Sequence, residues 1–168
     1  MDGRSIRPMV ASDWPAVARI YSEGIEGGDA TFEAEVPDWP EWDAAHIETC
    51  RLVVDREGEV VAWAALSPVS QRAVYRGVAE LSIYVGSEAR GEGVGSQLLA
   101  ALIVESESAG YWTLQTAIFP ENESSISLHT RHGFRVVGTR ERVGAQGERW
   151  RDTVFLERRS QSVGMPTG

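Results

Sequence analysis

Residues 79–85 alternate: Ala79, Leu81, Ile83 and Val85 are apolar, and Glu80, Ser82 and Tyr84 lie between them. That period of two predicts a half-buried strand. Beyond it, Val94, Leu98, Leu99, Leu102 and Ile103 recur at helical spacing, and Gly110 offers a stop. The same pattern predicts a first strand over 5–9 and a helix opening near Ser12 and Asp13, with Pro15 in its first turn and fraying at Gly24 or Gly27-Gly28. Asp38 is a cap for a second helix containing Trp42 and Ile47. Residues 51–56 and 60–66 flank Glu57-Gly58, a hairpin signal. Then come a polar loop over 67–77, a strand over 112–118, a short helix over 124–132 stopped by Gly133, and a strand over 134–140. A loop around 144–147 leads to a last strand near 152–156, and 158–168 reads as a frayed tail. The order predicts one mixed α/β layer fold in a single domain over 5–157.

Composition narrows the function classes. In 168 residues, 42% hydrophobic, one sizeable core can form. The formal net charge of -9 argues against a nucleic-acid groove or an anionic membrane surface. Any phosphate site must then be local, built from backbone dipoles and a few arginines. The single cysteine, Cys50, leaves no internal disulfide and no thiolate cluster for a metal, and His46 has no metal-ligand neighbours in sequence. Lacking a signal-like or membrane-length apolar run, the chain is expected to work in the cytoplasm. Of the six tryptophans, Trp14, Trp39 and Trp42 suit packing, and Trp150 suits a dimer or cleft position.

The turn between the 79–85 strand and the long helix is Arg90-Gly91-Glu92-Gly93-Val94-Gly95. A glycine-rich entry to a helix offers bare N–H groups at the positive end of a dipole, which suits phosphate. It lies too far along the chain for a dinucleotide fingerprint, and no Gly-Lys-Ser/Thr follows. The turn resembles the pyrophosphate-binding signature of the GCN5-related N-acetyltransferases. Downstream, Asn122-Glu-Ser-Ser125-Ile-Ser-Leu128-His129-Thr-Arg-His-Gly133-Phe134 resembles that family's second cofactor motif. Asn122 either caps the helix or bonds a ligand amide; Ser124 and Ser125 are alternative caps that would free it for the pantetheine arm. Ser125, His129 and His132 share one polar helical face.

Further segments are similar to the phosphinothricin and methionine-sulfoximine acetyltransferase branch: Ile6-Arg7-Pro8, Ala30-Thr31-Phe32-Glu33, the run Val61 to Pro68, the stretch around Glu80, and Gly144 with Arg149-Trp150-Arg151-Asp152. Thr130, Gln146 and Glu148 depart from the branch pattern. The resemblance implies a GNAT fold of the α/β (α+β) class, with a mixed, mostly antiparallel twisted sheet flanked by helices. It implies acetyl-CoA as co-substrate, held by Tyr84, Val85, Arg90, Gly91, Glu92, Gly93, Val94, Gly95, Ser96, Asn122 and Ser125. Glu80 would be the base, with partial burial raising its carboxyl toward the working pH; the competing reading is a solvated strand glutamate. His129 would return a proton to the thiolate, or else be a structural histidine. Thr31, Phe32 and Glu33 would wall the acceptor, and Arg72, Tyr75 and Arg76 would meet its carboxylate. The implied partners are a small-molecule amine and a second copy of the chain, with no metal, membrane or nucleic acid. Acetylation of a protein N-terminus or polyamine, or acetyl-CoA binding without catalysis, are the alternatives.

Overall fold

In a computed structural model, residues 3–167 are described, and they build one seven-stranded sheet between two helical layers. The chain runs β1 (Arg4–Pro8), α1 (Trp14–Gly27), α2 (Trp39–Ala45), β2 (Leu52–Arg56), β3 (Glu59–Pro68) and β4 (Val78–Val85). It continues with α3 (Val94–Ser108), β5 (Thr113–Ile118), α4 (Glu123–Arg131), β6 (Arg135–Gln146) and β7 (Arg149–Arg159). The strand order is β1-β2-β3-β4-β5-β7-β6, and only β4 and β5 run parallel. The mixed, mostly antiparallel sheet expected from the sequence is present.

Local chemistry explains most boundaries. Glu57 and Gly58 both take positive φ, 55° and 91°, as a two-residue hairpin turn requires, and the Asp55 carboxylate accepts the Gly58 N–H at 2.8 Å. Asp38 caps α2 by accepting the Glu41 N–H at 3.0 Å. Asp13, by contrast, is spent on Arg7 and the Val10 N–H rather than on the first turn of α1.

Of the two ends expected for α1, the structure takes Gly27-Gly28: the helix runs to Gly27 and ends on Gly28 at φ 82°, while Gly24 is buried under the Tyr84 ring. Three other sequence expectations are corrected. Ile47 lies outside α2, because His46 is extended and the Ile47 N–H goes to the Leu66 carbonyl of β3. Strand β6 continues through 144–146 to a tight turn at Gly147-Glu148. Its side chains are nearly all exposed, so no apolar alternation marks it; its length comes from pairing with β7. Strand β7 carries on through Arg158 and Arg159, where the tail was expected, and Ser160 is buried, with its N–H on the Trp112 carbonyl.

The core lies on both faces of the sheet. On one face, Val94, Leu98, Leu99 and Leu102 of α3 pack on Ala62, Ala64, Leu66, Leu81 and Leu156. On the other, Val17, Ile20 and Tyr21 of α1 and Trp42 of α2 pack on Val53, Trp63 and Ala65. Tyr84 stacks on Tyr21 and Trp63, with ring centroids at 5.1 and 4.8 Å. A Cβ on Gly24 would come within 2.7 Å of the Tyr84 ring, which is fixed between its aromatic neighbours. Gly24→Ala is therefore expected to destabilise the fold by about 1–3 kcal/mol despite better helix propensity, read as a lowered Tm.

Candidate active site

The site begins where the sheet comes apart. Strands β4 and β5 pair only at Val78↔Thr113, Ala79↔Leu114 and Glu80↔Gln115. From Leu81 onward β4 keeps its pairing with β3 but has no partner on the β5 side, while Thr116, Ala117 and Ile118 pair with β7. On that side the backbone along 81–85 faces a gap, where hydrogen-bonding capacity is left to a ligand except at the Val85 carbonyl, which accepts from Arg90 Nε. Two hollows occupy the gap, a cleft of about 870 Å³ and a cavity of about 290 Å³, and Ala30, Ile83, Tyr84, Asn122 and Ser125 line both.

Arg90, Gly91, Gly93, Val94, Gly95 and Ser96 line the large cleft. Gly91 and Gly93 both sit at φ 77°, and a Cβ on either would meet nothing within 4 Å, so the backbone lies bare to the cleft. No side chain caps α3, whose 15 residues start directly after Gly93. Its first-turn N–H groups and dipole are thus available to an anion. Arg90 folds back, donating from Nε to the Val85 carbonyl at 3.2 Å. Ser96 Oγ and His132 Nε2 lie 2.7 Å apart, tying the start of α3 to the end of α4. This cradle fits a pyrophosphate.

Two expected cofactor residues are differently employed. Glu92 does not line the cleft; Arg56 holds its carboxylate at 3.1 Å. Asn122 lines the cleft but is the cap of α4 after all, its Oδ1 accepting the Ser125 N–H at 3.3 Å while Nδ2 donates to the Asp29 carbonyl at 3.1 Å. Tyr84 turns its ring into the aromatic stack, and burial pushes its phenol up. Arg131, at the cleft wall, went unmarked in the sequence because nothing about its spacing distinguishes it from any helix-end arginine.

Thr31, Phe32, Glu33, Glu80, Ser82, Ser125 and His129 line the smaller cavity, as do Thr116, Phe119 and Thr153. The structure thus brings the expected wall, base and histidine together. Glu80 is exposed, so the burial expected for it is absent in this chain. His129 is 1% exposed. Its Nδ1 lies 2.7 Å from the Ser125 carbonyl, an acceptor only, so Nδ1 carries the hydrogen and Nε2 the lone pair. Burial lowers the imidazole below its ordinary range despite that hydrogen bond. His129 Nε2 and Thr153 Oγ1 are both buried without a hydrogen-bond partner. Each such orphan costs about 1–3 kcal/mol, a penalty that a partner group would remove. Arg72 and Arg76 lie outside the cavity lining, on an exposed segment, with guanidinium carbons 5.5 Å from the Tyr75 ring and 5.4 Å from the Trp112 ring. Among the described residues no group of three or more His, Cys, Asp or Glu could hold a metal ion, and no helix is long and apolar enough to cross a membrane.

Residues 14–134 match the model of the acetyltransferase (GNAT) family. The chain belongs to that family. It is an acetyl-CoA-dependent N-acetyltransferase. Its sequence is 31% identical to an L-methionine sulfoximine/L-methionine sulfone acetyltransferase of Pseudomonas aeruginosa over 91% of this chain and 92% of that protein. Its fold matches a phosphinothricin acetyltransferase from Sinorhizobium meliloti, solved with acetyl-CoA, at TM-score 0.85 and 31% identity, covering 98% of this chain and 94% of that one. It also matches a ribosomal-protein-alanine N-acetyltransferase from Brucella melitensis at TM-score 0.83 and 34% identity, covering 93% and 99%. The acetyltransferase fold and co-substrate drawn from the resemblance therefore hold for this GNAT enzyme.

Proposed function

We propose that the acceptor is the α-amine of a small amino-acid-like molecule of the methionine sulfoximine, methionine sulfone or phosphinothricin type. The observation that carries this reading is the 290 Å³ cavity, which joins the cofactor cleft and holds Glu80 and His129 in its lining. That volume suits a small molecule better than a peptide. The backbone and first-turn N–H groups along 90–96 hold the pyrophosphate, and backbone along 81–85 receives the pantetheine arm and polarises the thioester carbonyl. Acetyl-CoA supplies the acetyl carbon that the amine attacks directly.

Glu80 takes one proton from the acceptor ammonium, freeing the lone pair for attack. His129 has a different role from that of a ready acid. With hydrogen on Nδ1 and a lone pair on Nε2, it first accepts at Nε2. It takes the second proton that the nitrogen loses as the C–N bond forms, and gives it to the sulfur as the C–S bond breaks. Its lowered basicity makes the resulting imidazolium a ready donor. The family resemblance assigns Arg72 and Arg76 to the acceptor carboxylate, although both lie on an exposed segment outside the cavity lining. Exposed Val136, Val137, Val143 and Trp150 on β6 and β7 support a homodimer through that face.

Release of CoA thiol should be measured against methionine sulfoximine, methionine sulfone, phosphinothricin, ordinary amino acids, spermidine and a peptide with N-terminal alanine. Saturable turnover confined to the first three is expected. Arg76→Ala should raise their KM about 10- to 100-fold, the loss of a charged hydrogen-bonded pair. Preference for the peptide would support the second reading that the Brucella neighbour suggests, and silence across the panel with acetyl-CoA bound would overturn the acceptor class.

The pH profile tests His129. A lowered basicity leaves the ring neutral at pH 7, and it protonates only below its ordinary value of about 6.5. The acid limb of kcat should therefore fall below pH 6.5. His129→Ala should lower kcat about 100-fold and abolish that limb, with acetyl-CoA affinity unchanged. Full activity in that variant would remove His129 from the proton path.

A further inference from the structure

The wall shared by the two hollows, residues 28–33, has no regular secondary structure of its own; Gly28 ends α1 and α2 begins only at Trp39. Asp29 and Ala30 face the cofactor cleft, and Ala30, Thr31, Phe32 and Glu33 face the acceptor cavity. Such a loop keeps a shape only if something outside it holds it.

Asn122 Nδ2 holds the Asp29 carbonyl from the cap of α4, and the other holding groups come from the far hairpin. Arg151, on β7, is 2% exposed, yet it is a cation. Its Nη1 donates to the Gly28 carbonyl at 3.0 Å and to Gln146 Oε1 at 2.5 Å. Its Nη2 meets Asp29 Oδ1 at 2.8 Å and Glu121 Oε2 at 3.1 Å. The guanidinium carbon sits 3.7 Å from the centroid of the Phe119 ring. Gln146, the last residue of β6, uses its amide both ways: Oε1 accepts from Arg151, while Nε2 donates to the Gly28 carbonyl at 3.1 Å and the Thr31 carbonyl at 3.4 Å. Phe32 closes the contact, edge-on to Phe119 at 4.8 Å and against Gly144, where a Cβ would come within 2.8 Å of its ring.

We propose that Gln146 and Arg151 form a clamp, a pair of positioning residues that set the 28–33 wall over the acceptor cavity and so determine how tightly the acceptor is held. Neither side chain lines the cavity; both act through the wall. The three wall groups they hold, the Gly28 and Thr31 carbonyls and the Asp29 carboxylate, bracket Ala30, which separates the cofactor side from the acceptor side. Burying a guanidinium is expensive, and with Arg151 Nε buried and unpartnered the offsetting contacts are those of Nη1 and Nη2, whose geometry imposes one arrangement on the loop. The tight turn at Gly147-Glu148 brings Gln146 and Arg151 to one end of the hairpin, and the pairing of β6 with β7 fixes that end relative to the sheet.

The kinetic part of this inference rests on the proposed acceptor class; the structural part does not. The test uses Gln146→Met, which keeps the stem and removes the amide, and Asp29→Asn, which weakens the ion pair at a half-exposed position and keeps the fold safe. Hydrogen exchange of 28–33 and steady-state kinetics are measured on both. The clamp predicts faster exchange confined to 28–33, an acceptor KM raised about 3- to 10-fold and kcat changed less than about threefold in both variants; in Gln146→Met, whose side chain lines neither hollow, acetyl-CoA affinity stays within about twofold of wild type. Unchanged exchange in both variants overturns the clamp. Faster exchange with an unmoved acceptor KM overturns its positioning role and leaves a merely structural contact. If the wild-type enzyme turns over none of the amines, the acceptor proposal fails, while the exchange measurement still decides whether the clamp holds the wall.

Discussion

Everything about this site follows from two strands that pair for three residues and then part. Strand β4 is held along its whole length by β3, and β5 is held by β7, so neither can bend back to close the gap between them. Unsatisfied backbone in a protein interior is expensive, and a sheet that leaves a row of it facing a hollow has stored binding capacity there. In the proposed function the open edge at 81–85 receives one reactant, and the residues lining the smaller cavity beside it hold the other.

The two hollows meet at that edge, and their linings divide the labour. On the cleft side, glycines at positive φ and an uncapped helix start concentrate positive potential in a chain whose net charge is -9. Anion binding is confined to a few residues and does not depend on a basic surface. On the cavity side, an exposed carboxylate at Glu80 and a buried neutral imidazole at His129 present two proton acceptors in different environments. Only the second is held in one tautomer by the backbone, through the Ser125 carbonyl. That difference in environment supports the separate proton-transfer roles proposed for the two groups.

The parts of this design legible in the sequence are those enforced locally. The turn Arg90-Gly91-Glu92-Gly93-Val94-Gly95 announces itself because left-handed backbone selects glycine, and Glu57-Gly58 and the Asp38 cap are readable for similar reasons. The strand face carrying Glu80 and the helix carrying Ser125 and His129 follow from periodicity. What escaped notice depends on distant partners. Beyond Arg140, where no strand was expected, β6 carries no apolar alternation because it is an exposed edge. Asn122 caps its helix while its amide reaches across 93 residues of sequence to Asp29. Arg151, one more charge among alternating strand residues, is buried because Asp29, Glu121 and Phe119 gather around it. Glu92 looked like a phosphate-loop residue and is held by Arg56 instead.

The most direct test is amide hydrogen exchange with and without acetyl-CoA, resolved to residues 81–85 and 93–96. Open-edge backbone that receives the pantetheine arm, and helix-start N–H groups that receive the pyrophosphate, predict slowed exchange in both segments and little change across the β2–β3 hairpin. Protection that appears elsewhere, or none in 81–85 while acetyl-CoA is bound, would contradict the account.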